Sequence, residues 1–137
     1  MIVVDTSVIF AVADTADGDH SRCEELLSSY PGAELLVPTP AVVESSWLIE
    51  SRLGAVAEAA FLSSVNTGEL TRVDLADRDR ARCVELITTY ADLGLGVVDA
   101  SIIAIAERLA IPTVATLNRR DFTVVRPSHL DGFELLP

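Results

Sequence analysis

The sequence predicts a parallel α/β fold, and three observations carry the prediction. The chain opens with Ile2-Val3-Val4, an apolar run with no apolar/polar alternation, which suits a strand covered on both faces. The run breaks off at Asp5-Thr6-Ser7, a carboxylate followed by two hydroxyls. From there, short apolar runs alternate with segments of helical period along the chain. In open parallel sheets, ligands gather beyond the carboxyl ends of the strands, where strand order reverses. Asp5 is therefore the first candidate functional residue. Capping the helix that begins at Thr6 or Ser7 is its alternative role.

The 137 residues are expected to form one domain over 1–137, a size that buries roughly two-thirds of the unfolded surface. Half of the residues are hydrophobic, yet no run approaches the roughly 18 apolar residues of a membrane span. Met1 leads directly into the first strand without a basic leader, so the expectation is a soluble cytoplasmic protein with no membrane partner. Cys23 and Cys83 lie in helical patterns without metal-type spacing and read as small buried thiols. A net charge of −11 is the wrong sign for holding nucleic acid on a broad basic surface, so any such role must use local contacts or metal ions. All ten basic side chains are Arg. With no Lys, there is no P-loop lysine, no Schiff-base lysine and none to assist an aspartyl-phosphate.

After Asp5, Ser7 to Ala13 reads as a short buried helix. His20 to Tyr30 is a second, with a Cys23, Leu26, Leu27, Tyr30 stripe and His20 at its start. Glu34 to Val37 is a short strand, followed by a helix start with Thr39 as N-cap and Pro40 at N1. The helix from Ala41 to Leu53 carries Glu44 among Val43, Trp47 and Leu48; Trp47 is expected in the core. Glu44 either serves a site or belongs to a solvated face shared with Ala41, Ser45 and Arg52. Gly54 separates this helix from another over Ala55 to Val65, and Leu70 to Leu75 alternates as a strand should.

Asp77 opens a long helix to about Tyr90, with Ala81, Val84, Leu86, Ile87 and Tyr90 for its apolar side and its mixed charges on a solvated, internally paired face. Leu93-Gly94-Leu95-Gly96 follows a helix and is too short for a dinucleotide fingerprint. In the helix from Val97 to Leu109, Asp99 stands near the start, and Ile102, Ile103 and Ala106 follow it at three, four and seven residues. Asp99 therefore heads an apolar stripe and should point inward, with capping as the alternative. Thr113-Val114-Ala115 is a strand, Thr116 to Phe122 leaves its carboxyl end, and Val124-Val125 and Phe133 to Leu136 offer final short strands.

Asp5, Glu44, Asp99 and Asp121 thus share a pattern: carboxylates at strand ends or in first helical turns, close to apolar residues. Gathering them at one sheet edge is costly without a cation, and hard oxygen ligands suit Mg²⁺ or Mn²⁺. Two such ions about 4 Å apart can activate a water and stabilise both oxygens in phosphodiester displacement.

The chain resembles the PIN-domain ribonucleases, and within them the VapC-type toxins of prokaryotic toxin–antitoxin pairs. The resemblance covers essentially the whole chain. It rests on Ile2 to Ser7, on Val42-Val43-Glu44, on Val98 to Ala104 with Ala106 to Leu109, and on Ala115 to Phe122. It implies a three-layer α/β/α sandwich with a central parallel sheet of about five strands, and a homodimer. It further implies Mg²⁺- or Mn²⁺-dependent cleavage of RNA, a cognate antitoxin, and DNA contact only through that antitoxin. The family's acidic positions match Asp5, Glu44 and Asp99; many relatives carry Asp where this chain has Asn118, which leaves Asp121 as the remaining acid of that motif. The implied roles are catalysis by Asp5, Glu44, Asp99 and Asp121, and metal ligation by Asp5, Asp99 and Asp121, with Thr6, Thr116 and Asn118 in support. Arg119 and Arg120 are candidates for RNA phosphate contacts or simply surface charge.

An aspartyl-phosphate enzyme could also place Asp5 after a first strand, but the lack of Lys and of an acid two residues beyond Asp5 argues against it. The more serious rival is a non-catalytic interaction module on the same fold, with its site degraded at Asn118.

Overall fold

The computed structural model describes residues 1–137 as five strands and seven α-helices in chain order. Strands β1 (Ile2–Val4), β2 (Leu35–Pro38), β3 (Thr71–Val73), β4 (Thr113–Ala115) and β5 (Glu134–Leu136) form one sheet in the order β3-β2-β1-β4-β5. Every pairing is parallel, with Val3 opposite both Leu36 and Val114. Successive side chains leave a strand on opposite faces, and here both faces are covered. Ile2, Val4, Leu35 and Val37 pack with α1 (Thr6–Ala13), α2 (His20–Ser28), α3 (Thr39–Leu53) and α4 (Ala55–Thr67). Val3, Leu36 and Val114 pack on the other side with α5 (Asp77–Thr89), α6 (Val97–Leu109) and Phe122 of α7 (Arg119–Val124). The result is the three-layer α/β/α sandwich with five parallel strands. Strand order reverses at β1: the chain first builds outward through β2 and β3, then returns to place β4 and β5 on the other side.

Several expectations are corrected in detail. Thr39 is the first residue of α3 and Pro38 its N-cap. The Thr39 hydroxyl instead donates to the Val73 carbonyl and to Asp74, tying α3 to the end of β3. Val124-Val125 is no strand, because α7 runs through Val124; a helix of six residues is too short to show a period. Trp47 is 67% exposed rather than in the core, since α3 turns Ala41, Val42, Ser45 and Ile49 inward and Val43 and Trp47 outward. On α5 the inward residues are Asp79, Cys83 and Leu86, while Val84 faces solvent. Its charges are not only paired internally: Arg82 and Asp79 bond to Glu107 and Arg108 of α6. His20 does stand at the start of α2, where its Nδ1 lies 2.9 Å from the Ala11 carbonyl and joins α2 to α1. Between α3 and α4 the chain reverses at Gly54, whose φ of 92° is the left-handed region that favours glycine. No helix is long and apolar enough to cross a membrane.

A candidate acidic cleft at the strand-order switch

Asp5 ends β1 at the point where strand order reverses, with the carboxyl end of β4 beside it: the Asp5 N–H donates to the Ala115 carbonyl at 2.9 Å. Its backbone carbonyl accepts from Val8 and Ile9 and so starts α1, but its carboxylate makes no cap bond. The side chain is turned instead toward β4. Its Oδ2 accepts from the Ser7 hydroxyl at 2.7 Å and from the Thr116 hydroxyl at 2.8 Å. Each of these hydroxyls in turn accepts a backbone N–H from the segment after β4, Ser7 Oγ from Leu117 and Thr116 Oγ1 from Asn118, both at 2.9 Å. One carboxylate oxygen therefore anchors two consecutive peptides, while Oδ1 has no hydrogen-bond partner in the chain.

A cavity of about 560 Å³ opens in front of Asp5. Its walls include Thr6 and Ser7 of α1, Glu44 and Leu48 of α3, Gly96 to Asp99 at the start of α6, and Asn118. A larger share of apolar lining belongs to a smaller cavity of about 190 Å³ between α1, α2 and α4, which no carboxylate lines. Glu44 reaches the cleft from an exposed position, so it serves the cavity wall while remaining in contact with solvent. Asp99 is the third residue of α6 and accepts none of the chain's hydrogen bonds; the buried Ile102, Ile103 and Ala106 stripe beneath it turns it inward. Burial, first, and then the negative charges of Asp5, Asp121 and Glu44 push its carboxyl up to about 7. The four acids are thus close enough for three to be felt at the fourth.

Asp121 is brought near but does not line the cavity. Its Oδ2 accepts from Asn118 Nδ2 at 2.9 Å, and Arg120 lies 3.7 Å from its other oxygen. Thr116 is wholly buried and engaged with Asp5. Thr6 lines the cavity and is 4% exposed, and its Oγ1 has no partner. Arg119 is turned away, donating to the carbonyls of Pro137 and Leu135 and fastening α7 to β5. Arg120 remains exposed. Ser7 is the residue that sequence reasoning passed over; the hydroxyl pair after Asp5 was visible, but its partner Leu117 is 110 residues away.

All side chains around the cavity that could hold a cation offer oxygen, which suits Mg²⁺ or Mn²⁺. No three His, Cys, Asp or Glu side chains converge into a ready cage. That fits Mg²⁺ well enough, since it is usually held by one or two carboxylates and keeps several waters. The orphaned Thr6 hydroxyl and the open Asp5 Oδ1 add neutral and charged donors to the same cavity.

An all-parallel sheet with an acidic cleft at its switch point is the arrangement of a PIN-domain protein. The family's PIN domain matches residues 2–126, and the chain belongs to that family. Over 139 aligned residues it is 34% identical to Ribonuclease VapC26 of Mycobacterium tuberculosis, covering 99% of this chain and all of that one. Solved structures agree in fold. Mycobacterium tuberculosis VapC20, a toxin that cleaves the sarcin–ricin loop, superposes with a TM-score of 0.76 at 20% identity, over 83% of this chain and 87% of that one. VapBC2 from Rickettsia felis, solved with a fragment of promoter DNA, gives 0.70 at 18% identity over the whole of both chains. A toxin–antitoxin complex from Klebsiella pneumoniae gives 0.69 at 17% identity, over 91% and 92%.

Proposed function

We propose that the protein is a divalent-metal-dependent endoribonuclease, the toxin of a type II toxin–antitoxin pair, held inactive by a cognate antitoxin. The observation that carries this reading is Asp99, a carboxyl pushed up to about 7 at the mouth of an oxygen-lined cavity where a cation would relieve it. Membership of the PIN family and the similarity to Ribonuclease VapC26 along the whole chain support the reading.

Asp5 and Asp99 are the two carboxylates that would hold Mg²⁺ or Mn²⁺, and the bound cation would polarise a phosphodiester and a water. Asp5 presents Oδ1, because Ser7 and Thr116 hold Oδ2. Asp99, pushed up to about 7 without a cation, would be held as the carboxylate by one. Glu44, on the solvent side of the cleft, accepts a proton from the attacking water. Asp121 adds negative potential from behind Asn118. With Arg119 occupied by Pro137 and Leu135, Arg120 is the basic side chain of this segment left for an RNA phosphate. The RNA-cleaving toxin is read as a homodimer, and exposed Val43, Trp47 and Leu62 supply apolar surface for protein contacts. DNA is contacted only through the antitoxin.

The test is cleavage of a fluorophore-labelled single-stranded RNA by protein freed of its partner, with Mn²⁺, Mg²⁺ or EDTA. Asp99→Asn should lower the rate at least about 100-fold while leaving the circular dichroism unchanged. A folded Asp99→Asn protein that keeps most of its activity removes Asp99 from the mechanism. Asn118, which brings no charge, favours one rival, a non-catalytic module; it predicts antitoxin binding with no metal-dependent cleavage by the native chain.

A further inference from the structure

We propose that Asn118, through its amide oxygen, is the third protein ligand of the cation, and that Asp121 acts behind it as a positioning residue. The inference rests on the metal-dependent reading above and adds which side chain of the segment after β4 faces the ion. It stands on hydrogen-bond direction. Asn118 Nδ2 lies 2.9 Å from Asp121 Oδ2, and an ionised carboxylate only accepts, so the NH₂ group must face Asp121. The amide oxygen is thereby turned away from Asp121. Asn118 lines the cavity with Asp5, Glu44 and Asp99, and Asp121 does not.

The backbone that carries Asn118 is placed by the ligand it would accompany. Asp5 Oδ2 receives the Thr116 hydroxyl, which receives the Asn118 N–H; it also receives the Ser7 hydroxyl, which receives the Leu117 N–H. Asp5 thus fixes the loop with one oxygen and leaves the other for the cation. An independent sign of a ligand is Thr6, 4% exposed, lining the same cavity with its hydroxyl unpartnered. A third carboxylate pressed against Asp5 and Asp99 would add repulsion, whereas an amide oxygen brings a dipole and no charge.

The experiment uses the full chain with Mg²⁺ alone and Mn²⁺ alone, read by calorimetry, together with the ¹⁵N side-chain NH₂ signal of Asn118, identified by its loss in Asn118→Ala. An amide at position 121 can still accept the Asn118 NH₂. Asn118→Ala should therefore weaken metal binding about tenfold or more, Asp121→Asn only about threefold through the lost charge, and Asp121→Ala by an intermediate factor. The Asn118 NH₂ signal should move on saturation with Mg²⁺. If Asp121→Asn weakens binding as much as Asn118→Ala, or the signal stays still while calorimetry shows binding, Asp121 or water holds that position and the assignment is wrong. Binding by native protein that Asn118→Ala leaves unchanged overturns the ligand assignment alone. A native chain that binds neither ion overturns the metal-dependent reading as well.

Discussion

The two ends of α6 carry two acidic clusters that solve opposite problems. In its first turn, Asp99 faces Asp5, Glu44 and Asp121 with no arginine bonded to it. In its last turn, Glu107 and Arg108 meet α5 across a closed set of ion pairs, roughly 12 Å along the helix from Asp99. Arg82 is bidentate to Glu107 at 2.8 and 3.0 Å, and Arg108 bonds Asp79 at 2.8 Å. Glu107 also accepts the Ser128 N–H, and Asp79 the Ala76 N–H. The titrations diverge accordingly. Burial pushes Asp99 up and its acidic neighbours push it further. Burial also pushes Glu107 up, but hydrogen bonds from Arg82 and Ser128 outweigh it and hold the carboxyl below its usual range. Burial alone therefore does not mark a functional acid. What separates the clusters is whether the chain itself supplies the countercharge.

Stripping a countercharge from the closed cluster should have the largest effect on stability. Asp79 is 2% exposed, and Asp79→Ala leaves the Ala76 N–H without its acceptor and Arg108 with only the Asp74 carbonyl and no countercharge. It should cost about 3 kcal/mol, or roughly 10 °C in melting temperature. Mg²⁺ affinity of the remaining folded protein should be unchanged. A loss below about 1 kcal/mol in urea titration would reduce the cluster to an ordinary surface pair.

At the open cluster the same operation should have the opposite sign. Asp99 keeps its proton in the fold to about pH 7, against an ordinary value of 3.8. Between those values the folded state binds more protons than the unfolded one, so this group's contribution to stability falls as pH rises from about 4 through 7. Asp99→Asn abolishes that loss. In EDTA the variant should match native protein near pH 4 and exceed it by about 1–2 kcal/mol at pH 8, after discounting for partial solvent access. Saturating Mg²⁺ should reverse the order, since only native protein gains the full binding free energy. Melting curves at four pH values decide the matter; a gap independent of pH would mean that Asp99 is not strained.

The open cluster was legible in the sequence for a reason that does not extend to the closed one. Asp5 ends an unalternating strand and Asp99 heads a stripe at three, four and seven residues, so local pattern pointed both toward the sheet edge while leaving capping as the alternative. Asp79 shares its helix with Asp77, Arg78, Arg80 and Arg82, a composition that reads as solvated. Its burial depends on Arg108, 29 residues further along, and pairing over that distance leaves no local period. Ser7 was hidden in the same way behind Leu117. Trp47 misled because a helix flanked by two apolar residues per turn has two faces that could be inward, and the core shared with β1 and β2 took the face of Ala41, Val42 and Ile49 instead. Arg119 looked available for RNA because its partners, the backbone carbonyls of Leu135 within β5 and of Pro137 just after it, carry no signature in residue type.

That outward turn of Trp47 gives the protein an optical property. It is the only tryptophan, 67% exposed, and stands three residues beyond Glu44 on the helix that forms one wall of the cleft. Its indole already sits in water in the folded state, so its emission maximum should move little on unfolding in urea. An antitoxin or second subunit that covers α3 should shift the emission to shorter wavelength. Intrinsic fluorescence will therefore follow assembly on this face while remaining nearly blind to folding, and a spectrum unchanged on forming the complex would place the partner elsewhere.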